Sequence, residues 1–343
     1  MKDESEFTRL LSRLIRLLWV FIISVFASSG FFVLNSLGII RLNPLSSQGS
    51  FMLPRQAFAA KQSAEVWHAP DSTDIIEDSN MDLIQYGREL IMHTSLYLGP
   101  QGKVRKISNG MNCQNCHLKA GTVPFGNNYG KVASTYPKLR HRSGTIEGFE
   151  KRVNDCIERS LNGEKLEVDS REMKAIVAYL KWVGKDVKKG KTPVGLGLLE
   201  LNPIDRAADT VIGERVYERY CARCHGADGQ GQLAEDGVEW KYPPLYGNNS
   251  YNIGAGLFRI STFASFVKNN MPYGITFENA FLTDDEAWDV AAYVNSKPRP
   301  TIDLSGDWPD KSKKPYDYPF GPYADSFSEE QHKYGPFAMI KDQ

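Results

Sequence analysis

The chain opens on an apolar run, residues 17–40 (LLWVFIISVFASSGFFVLNSLGII), that carries no charge and no polar stripe. At a rise of about 1.5 Å per residue this run is long enough to cross the roughly 30 Å hydrocarbon layer of a bilayer. Lys2, Arg9, Arg13 and Arg16 precede it, so the positive-inside bias keeps the N-terminus cytoplasmic and sends everything after Arg41 across the membrane. Ala57-Phe58-Ala59 before Ala60 offers an A-x-A cleavage site. An uncleaved anchor is preferred because the run exceeds a signal peptide's usual apolar stretch. Either way the body is expected on the periplasmic side of the inner membrane, anchored by residues 17–40 or released near Ala59.

Beyond the run, periodicity turns helical. A helix is predicted near 82–96, another near 170–183 with Met173, Ile176, Val177 and Leu180 on one apolar face, and a short one across 147–163 closed by Gly163. Near 283–294 Thr283 is placed to cap a helix whose positive first turn holds Asp284, Asp285 and Glu286. Residues 187–202 mix Lys, Pro and Gly and read as a linker. The tail, 301–343, is rich in Pro, Tyr and Asp without helical periodicity, and an extended strap is expected there.

A length of 343 residues suits about two domains. With 41 Lys+Arg against 41 Asp+Glu, global attraction to nucleic acid is not indicated, and no nucleic-acid partner is expected. The chain has 5 Cys, too few for a disulfide scaffold and an odd number for complete pairing, so their positions carry the information.

Four of the five fall in two C-x-x-C-H pentads, Cys113-Gln114-Asn115-Cys116-His117 and Cys221-Ala222-Arg223-Cys224-His225. This is the attachment pattern for a c-type haem: two thiols one turn apart bond the porphyrin's vinyl groups, and the following His becomes the iron's proximal ligand. Two covalently attached haem c groups are therefore expected, with Cys113, Cys116, Cys221 and Cys224 as tethers and His117 and His225 on iron. Paired zinc knuckles are the weaker alternative. The fold class that follows is mainly α: two tandem cytochrome c-type domains with an N-terminal membrane segment and an extended C-terminal tail. The boundaries run 1–61 for the signal or anchor, 62–186 for the first domain, 187–202 for the linker, 203–300 for the second domain and 301–343 for the tail.

The two halves share an order of helix, pentad, connection and last helix, with Ala178-Tyr179 in one last helix and Ala292-Tyr293 in the other. Met271 stands 22 residues before Tyr293 and is expected as the second iron's distal ligand; a core methionine is the alternative. Cys156 stands 23 residues before Tyr179 and takes the equivalent place on the first iron. Its rivals are Met173, which sits on an apolar face, and a reading of Cys156 as a buried inert thiol.

Arg152, Cys156, Arg159 and Ser160 lie at i, i+4, i+7 and i+8, which puts two guanidinium groups and a hydroxyl beside the sulfur on one helical face. Lys138, Arg140, His141, Arg142 and Ser143 lie just upstream. This local cationic excess suits a small oxyanion, while haem propionates or solvent are competing partners for it. Cations and iron both favour the nucleophilic thiolate. Two haems also hold two electrons, the number released when two sulfur anions join. Met ligation raises the second haem's potential above that of a thiolate-bound haem, which gives electrons a direction of exit.

The segments MNCQNCHL (111–118) with Ala120-Gly121-Thr122, RVNDC (152–156) with RSLNG (159–163), YPPLYG (242–247), GDWP (306–309) and YPFGPY (318–323) resemble the dihaem thiosulfate dehydrogenases, some of which run better as tetrathionate reductases. The resemblance covers about residues 80–340. It implies a cytochrome-linked oxidoreductase that couples two thiosulfate ions into tetrathionate, or runs in reverse, with Cys156 as catalytic haem ligand transiently carrying a sulfonated sulfur. The arginines and serines around it, Arg142, Ser143, Arg152, Arg159 and Ser160, would hold the anions. Partners would be thiosulfate, tetrathionate and a redox protein such as a soluble cytochrome or membrane oxidase. Some members carry a lysine directly before the methionine that competes for the second iron; here that residue is Asn270, and Lys268 is a less direct competitor. Other readings are a non-catalytic dihaem electron carrier, a dihaem peroxidase and the cytochrome subunit of a sulfur-oxidising complex.

Overall fold

The computed structural model describes residues 66–76 and 78–341, together with Leu14, residues 16–19, Phe21, Ile22 and Ser24. The chain divides into two units, Met1–Arg55 and Gln56–Gln343. In the first unit the few described positions are helical. Among the described residues no helix is long and apolar enough to cross a membrane. Most of the run expected at 17–40, and the Ala57-Phe58-Ala59 site, lie outside the described residues.

The second unit is mainly helical and holds two modules built on one plan, each around its own apolar core. In the first module α1 (Met81–Met92) and α2 (Thr94–Leu98) precede the Cys113 pentad, and a small hairpin of β1 (Lys138–Arg140) and β2 (Thr145–Glu147) leads into α3 (Phe149–Arg159) and α4 (Arg171–Val183). The second module runs from α5 (Thr210–Tyr220) through its pentad and a hairpin of β3 (Gln232–Leu233) and β4 (Trp240–Tyr242) to α6 (Ile260–Asn270) and α7 (Asp284–Ser296). Local chemistry sets these ends. The Ser170 hydroxyl accepts from Met173 N to start α4, and Thr283 and Glu286 form a capping box on α7 behind the acidic first turn.

The repeat shows most directly where first and last helices cross. A Cβ on Gly87 of α1 would overlap the Ala175 carbonyl of α4 and stand 2.9 Å from Tyr179 Cβ. A Cβ on Gly213 of α5 would overlap the Asp289 carbonyl of α7 and stand 2.9 Å from Tyr293 Cβ. The two Ala-Tyr pairs thus occupy the same place in both modules, each against a glycine that lets the helix backbones touch.

Several expectations are corrected. The helix expected through 82–96 breaks at His93, whose backbone is non-helical (φ −124°, ψ 39°). The helix carrying Cys156 ends at Arg159 with Ser160 as its cap, so Gly163 does not close it. Asn162 takes the positive φ of 43° instead, and Gly163 is required because a Cβ there would overlap the Ile107 carbonyl. Residues 187–202, read as a linker, bond to both modules: Trp67 N donates to Val194 O (2.7 Å), Phe125 N to Gly195 O (2.7 Å) and Asn127 N to Gly197 O (2.9 Å) in the first, while Asn269 Nδ2 donates to Leu199 O (3.0 Å) and Leu201 N to Ser265 Oγ (3.2 Å) in the second. The tail is extended only in part. It ends in α8 (Glu329–Tyr334) and α9 (Ala338–Lys341), and Phe337 and Ile340 are buried in the second core.

Candidate active site

The first pentad opens on a 3-10 turn, Cys113–Asn115, anchored by Asn112 and Thr94. Ser95 N donates to Asn112 Oδ1 (2.7 Å), and Cys113 N donates to Thr94 Oγ1 (3.0 Å). Burial pushes the Cys113 thiol up to about 11 and the Cys116 thiol up to about 12, and it pushes Cys221 up to about 12 in the second module. None of the five cysteines is in a disulfide.

His117 is held in one orientation. Its Nδ1 lies 2.5 Å from the Asn127 carbonyl, which fixes that nitrogen as donor and leaves Nε2 free to ligate a metal. Its ring stacks on Tyr129 at 4.3 Å, and burial pulls its pKa down to about 4, so the imidazole is neutral. His225 repeats the device, with Nδ1 2.8 Å from the Pro243 carbonyl and burial again lowering its pKa. The pinned strap at 187–202 supports the first of these carbonyls, since Asn127 N bonds Gly197 O.

Cys113, Cys116, His117 and Cys156 line one cavity of about 340 Å³. Cys156 reaches it from α3, with Arg152 one turn before and Ser160 one turn after on the same wall. The hairpin adds Lys138 and Arg140, and Lys131 and Tyr136 complete the polar side. Arg152 is half-buried, and the charge of Cys156, more than any other neighbour, holds its pKa above the ordinary value. Burial, then Arg140, Lys131 and Arg152, pulls Lys138 down.

Three expected site residues sit elsewhere. Arg159 is turned away from the cavity and forks onto the tail, donating from NH1 to Asp307 Oδ2 (2.8 Å) and from NH2 to Asp307 Oδ1 (2.7 Å). It is the last residue of its helix, where the Asp307 carboxylate of the tail meets it. Arg142 stacks its guanidinium 5.8 Å from the Trp308 ring and donates to the Gly254 carbonyl (3.3 Å), with its pKa lowered to about 10 by burial. Ser143 donates to Glu147 Oε1 (2.6 Å). The rival ligand Met173 is fully buried in the first core.

In the second module Met271 caps the end of α6 and packs against the second core. Lys268 is committed away from that position: it is 3 % exposed, its Nζ donates to the Leu282 carbonyl, and Asp284 Oδ1 is 2.8 Å from it. Asn270 Nδ2 donates to the Phe125 carbonyl of the first module (3.1 Å).

The donor set fits haem in a further respect. Arg142 Nε, Arg299 Nε and NH1, and Trp308 Nε1 are buried without an acceptor, and haem carries carboxylates that take such donors.

The first module matches the family model "SoxA/TsdA, cytochrome c domain" over residues 103–188, and the second matches "Cytochrome C oxidase, cbb3-type, subunit III" over residues 208–294. A thiosulfate dehydrogenase of Psychrobacter arcticus is 35% identical over 243 residues, 70% of this chain and 71% of that protein. The chain belongs to the thiosulfate dehydrogenase family. The member from Allochromatium vinosum is 39% identical over 202 residues, 57% of this chain and 72% of its own. The solved thiosulfate dehydrogenase TsdBA of Marichromatium purpuratum superposes with a TM-score of 0.63 at 31% identity, covering 69% of this chain and 50% of that one. As a dihaem member of the family, the chain carries two haem c groups, one per cytochrome c domain.

Proposed function

We propose that this protein oxidises thiosulfate at Cys156 and passes the electrons through two haems to a redox protein of the cytochrome class. The observation that carries the reading is the meeting of Cys156, Arg152 and Ser160 with Cys113, Cys116 and His117 in one cavity. Arg152, Lys138 and Arg140 draw the dianions in, and the Ser160 hydroxyl donates to an oxyanion oxygen. The Cys156 thiolate bonds the sulfane sulfur of one thiosulfate, giving Cys–S–S–SO3⁻ and releasing two electrons. A second thiosulfate then attacks the bound sulfane sulfur, so tetrathionate leaves and the thiolate returns, a displacement of the thiol–disulfide exchange kind. The haems supply one-electron acceptance, one electron each.

In this reading Cys156 would hold the first haem and Met271 the second, and a thioether-held haem would have the higher potential and serve as the exit. The same displacement run backwards reduces tetrathionate. Residues 17–40 place the enzyme on the periplasmic face, as anchor or as cleaved signal. The test is a Cys156→Ala protein that retains both haems on Cys113, Cys116, Cys221 and Cys224. Loss of thiosulfate oxidation with an artificial acceptor is expected; retained turnover would mean that Cys156 does not carry the chemistry.

A further inference from the structure

Among the described residues, no Asp or Glu lines the Cys156 cavity, yet one carboxylate is buried directly behind its cations. Glu147, the last residue of β2, is 2 % exposed. Its Oε1 accepts from Ser143 Oγ at 2.6 Å. Its Oε2 has no hydrogen-bond partner and stands 3.7 Å from Arg140 Nε. The charge of Glu147 is felt by Lys138 and Arg152 as well as by Tyr136, which are the polar groups of the cavity's distal wall. The other buried carboxylate near this wall, Asp155, is paired with Lys151 on its own helix. Burying a carboxylate with one oxygen unbonded is costly, and the backbone ladder already pairs β1 with β2.

We propose that Glu147 is a charge-balancing positioning residue: standing behind Arg140, it opposes the field of Lys138, Arg140 and Arg152 and so limits how tightly the cavity holds dianions. The need is built into the reaction. Two thiosulfate dianions must enter, but the product that leaves is also a dianion, and a cavity with only cations would retain it. This inference rests on the reading of the Cys156 cavity as the thiosulfate site.

The test is Glu147→Gln, which preserves shape and still accepts from Ser143. In the haem-loaded protein the KM for thiosulfate and the inhibition constant of tetrathionate should both fall by about threefold or more, since a like charge is removed from beside an anion. Turnover should become more strongly product-inhibited, and kcat/KM more sensitive to ionic strength. Arg140→Gln, which leaves Glu147 behind the cavity without its nearest cation, should move both constants the opposite way. Unchanged or raised constants in Glu147→Gln overturn the proposal, as does a change confined to the haem reduction potentials, which would make the cations partners of haem carboxylates. If Arg152→Gln weakens both constants while Glu147→Gln does nothing, only the role of Glu147 fails. If Arg152→Gln also does nothing, the cavity is not the thiosulfate site.

Discussion

Gly87 of α1 and Ala175 of α4 touch backbone to backbone, with no room for a single Cβ between them. Glycine in a helix interior normally costs about 0.5–1 kcal/mol against alanine, so at an ordinary position Gly87→Ala would stabilise. Here the methyl must push α1 off α4, and a loss of about 3 kcal/mol is expected. Gly213→Ala should do the same in the second module, where Asp289 is the residue struck. Denaturant unfolding of each haem-loaded protein checks both, and a neutral or stabilising result at either glycine would mean the crossing relaxes without cost.

Arg159 and Asp307 form a forked pair whose side chains are 15% and 9% exposed. Asp307→Asn leaves a half-buried guanidinium short of its carboxylate, and a stability loss of about 3 kcal/mol is expected. Arg159→Lys should lose much of the same amount, because an ammonium cannot reproduce the fork. Guanidinium-induced unfolding gives both values, and their near equality is what identifies the pair as the cause.

Met271 and Lys268 are predicted to separate cleanly. Met271→Leu should leave the second haem attached through Cys221 and Cys224 but lower its reduction potential, since a thioether ligand raises it. Lys268→Gln should leave that potential in place, because the ammonium is already bound to the Leu282 carbonyl and to Asp284. Its cost appears in stability instead, at about 2 kcal/mol for a buried charged donor removed. Redox titration of the two variants side by side decides between these outcomes.

Glu239 of β3–β4's hairpin region reaches across to the first module, accepting from Asn112 Nδ2 (2.8 Å) and lying 3.1 Å from His93 Nδ1. Glu239→Ala removes both contacts at the foot of the first pentad, and a loss of about 2 kcal/mol is expected, with the first module unfolding at lower denaturant than the second. Haem absorbance and tryptophan fluorescence, followed together, would show whether the two transitions part.

What could be read in advance follows the range of the forces involved. The pentads were readable because porphyrin geometry dictates the spacing, and the repeat because Tyr179 and Tyr293 recur at the helix crossings. Arg152 and Ser160 were readable from Cys156 by helical period. Arg159 was placed beside them by the same count, and its true partner, Asp307, lies 148 residues away, beyond any local pattern. The basic stretch around Arg140 signals charge but not the turn that makes it a hairpin, for which the alternation of KLR with TIE around HRSG is the one local cue. Glu147 was invisible for the same reason: only the folded hairpin turns it inward. Likewise nothing in the Pro/Gly-rich stretch at 187–202 announces that it supports the carbonyl under His117.

The Arg159–Asp307 fork, together with the 2.7 Å bond from Trp308 N to the Arg142 carbonyl, ties the first module to nearly the last segment of the chain. A polypeptide is made from its N-terminus, so the helix bearing Cys156 emerges long before the residues that brace it. The module that comes first in the chain is therefore completed only after the second has been made, and Cys156 takes up its braced setting no earlier than that.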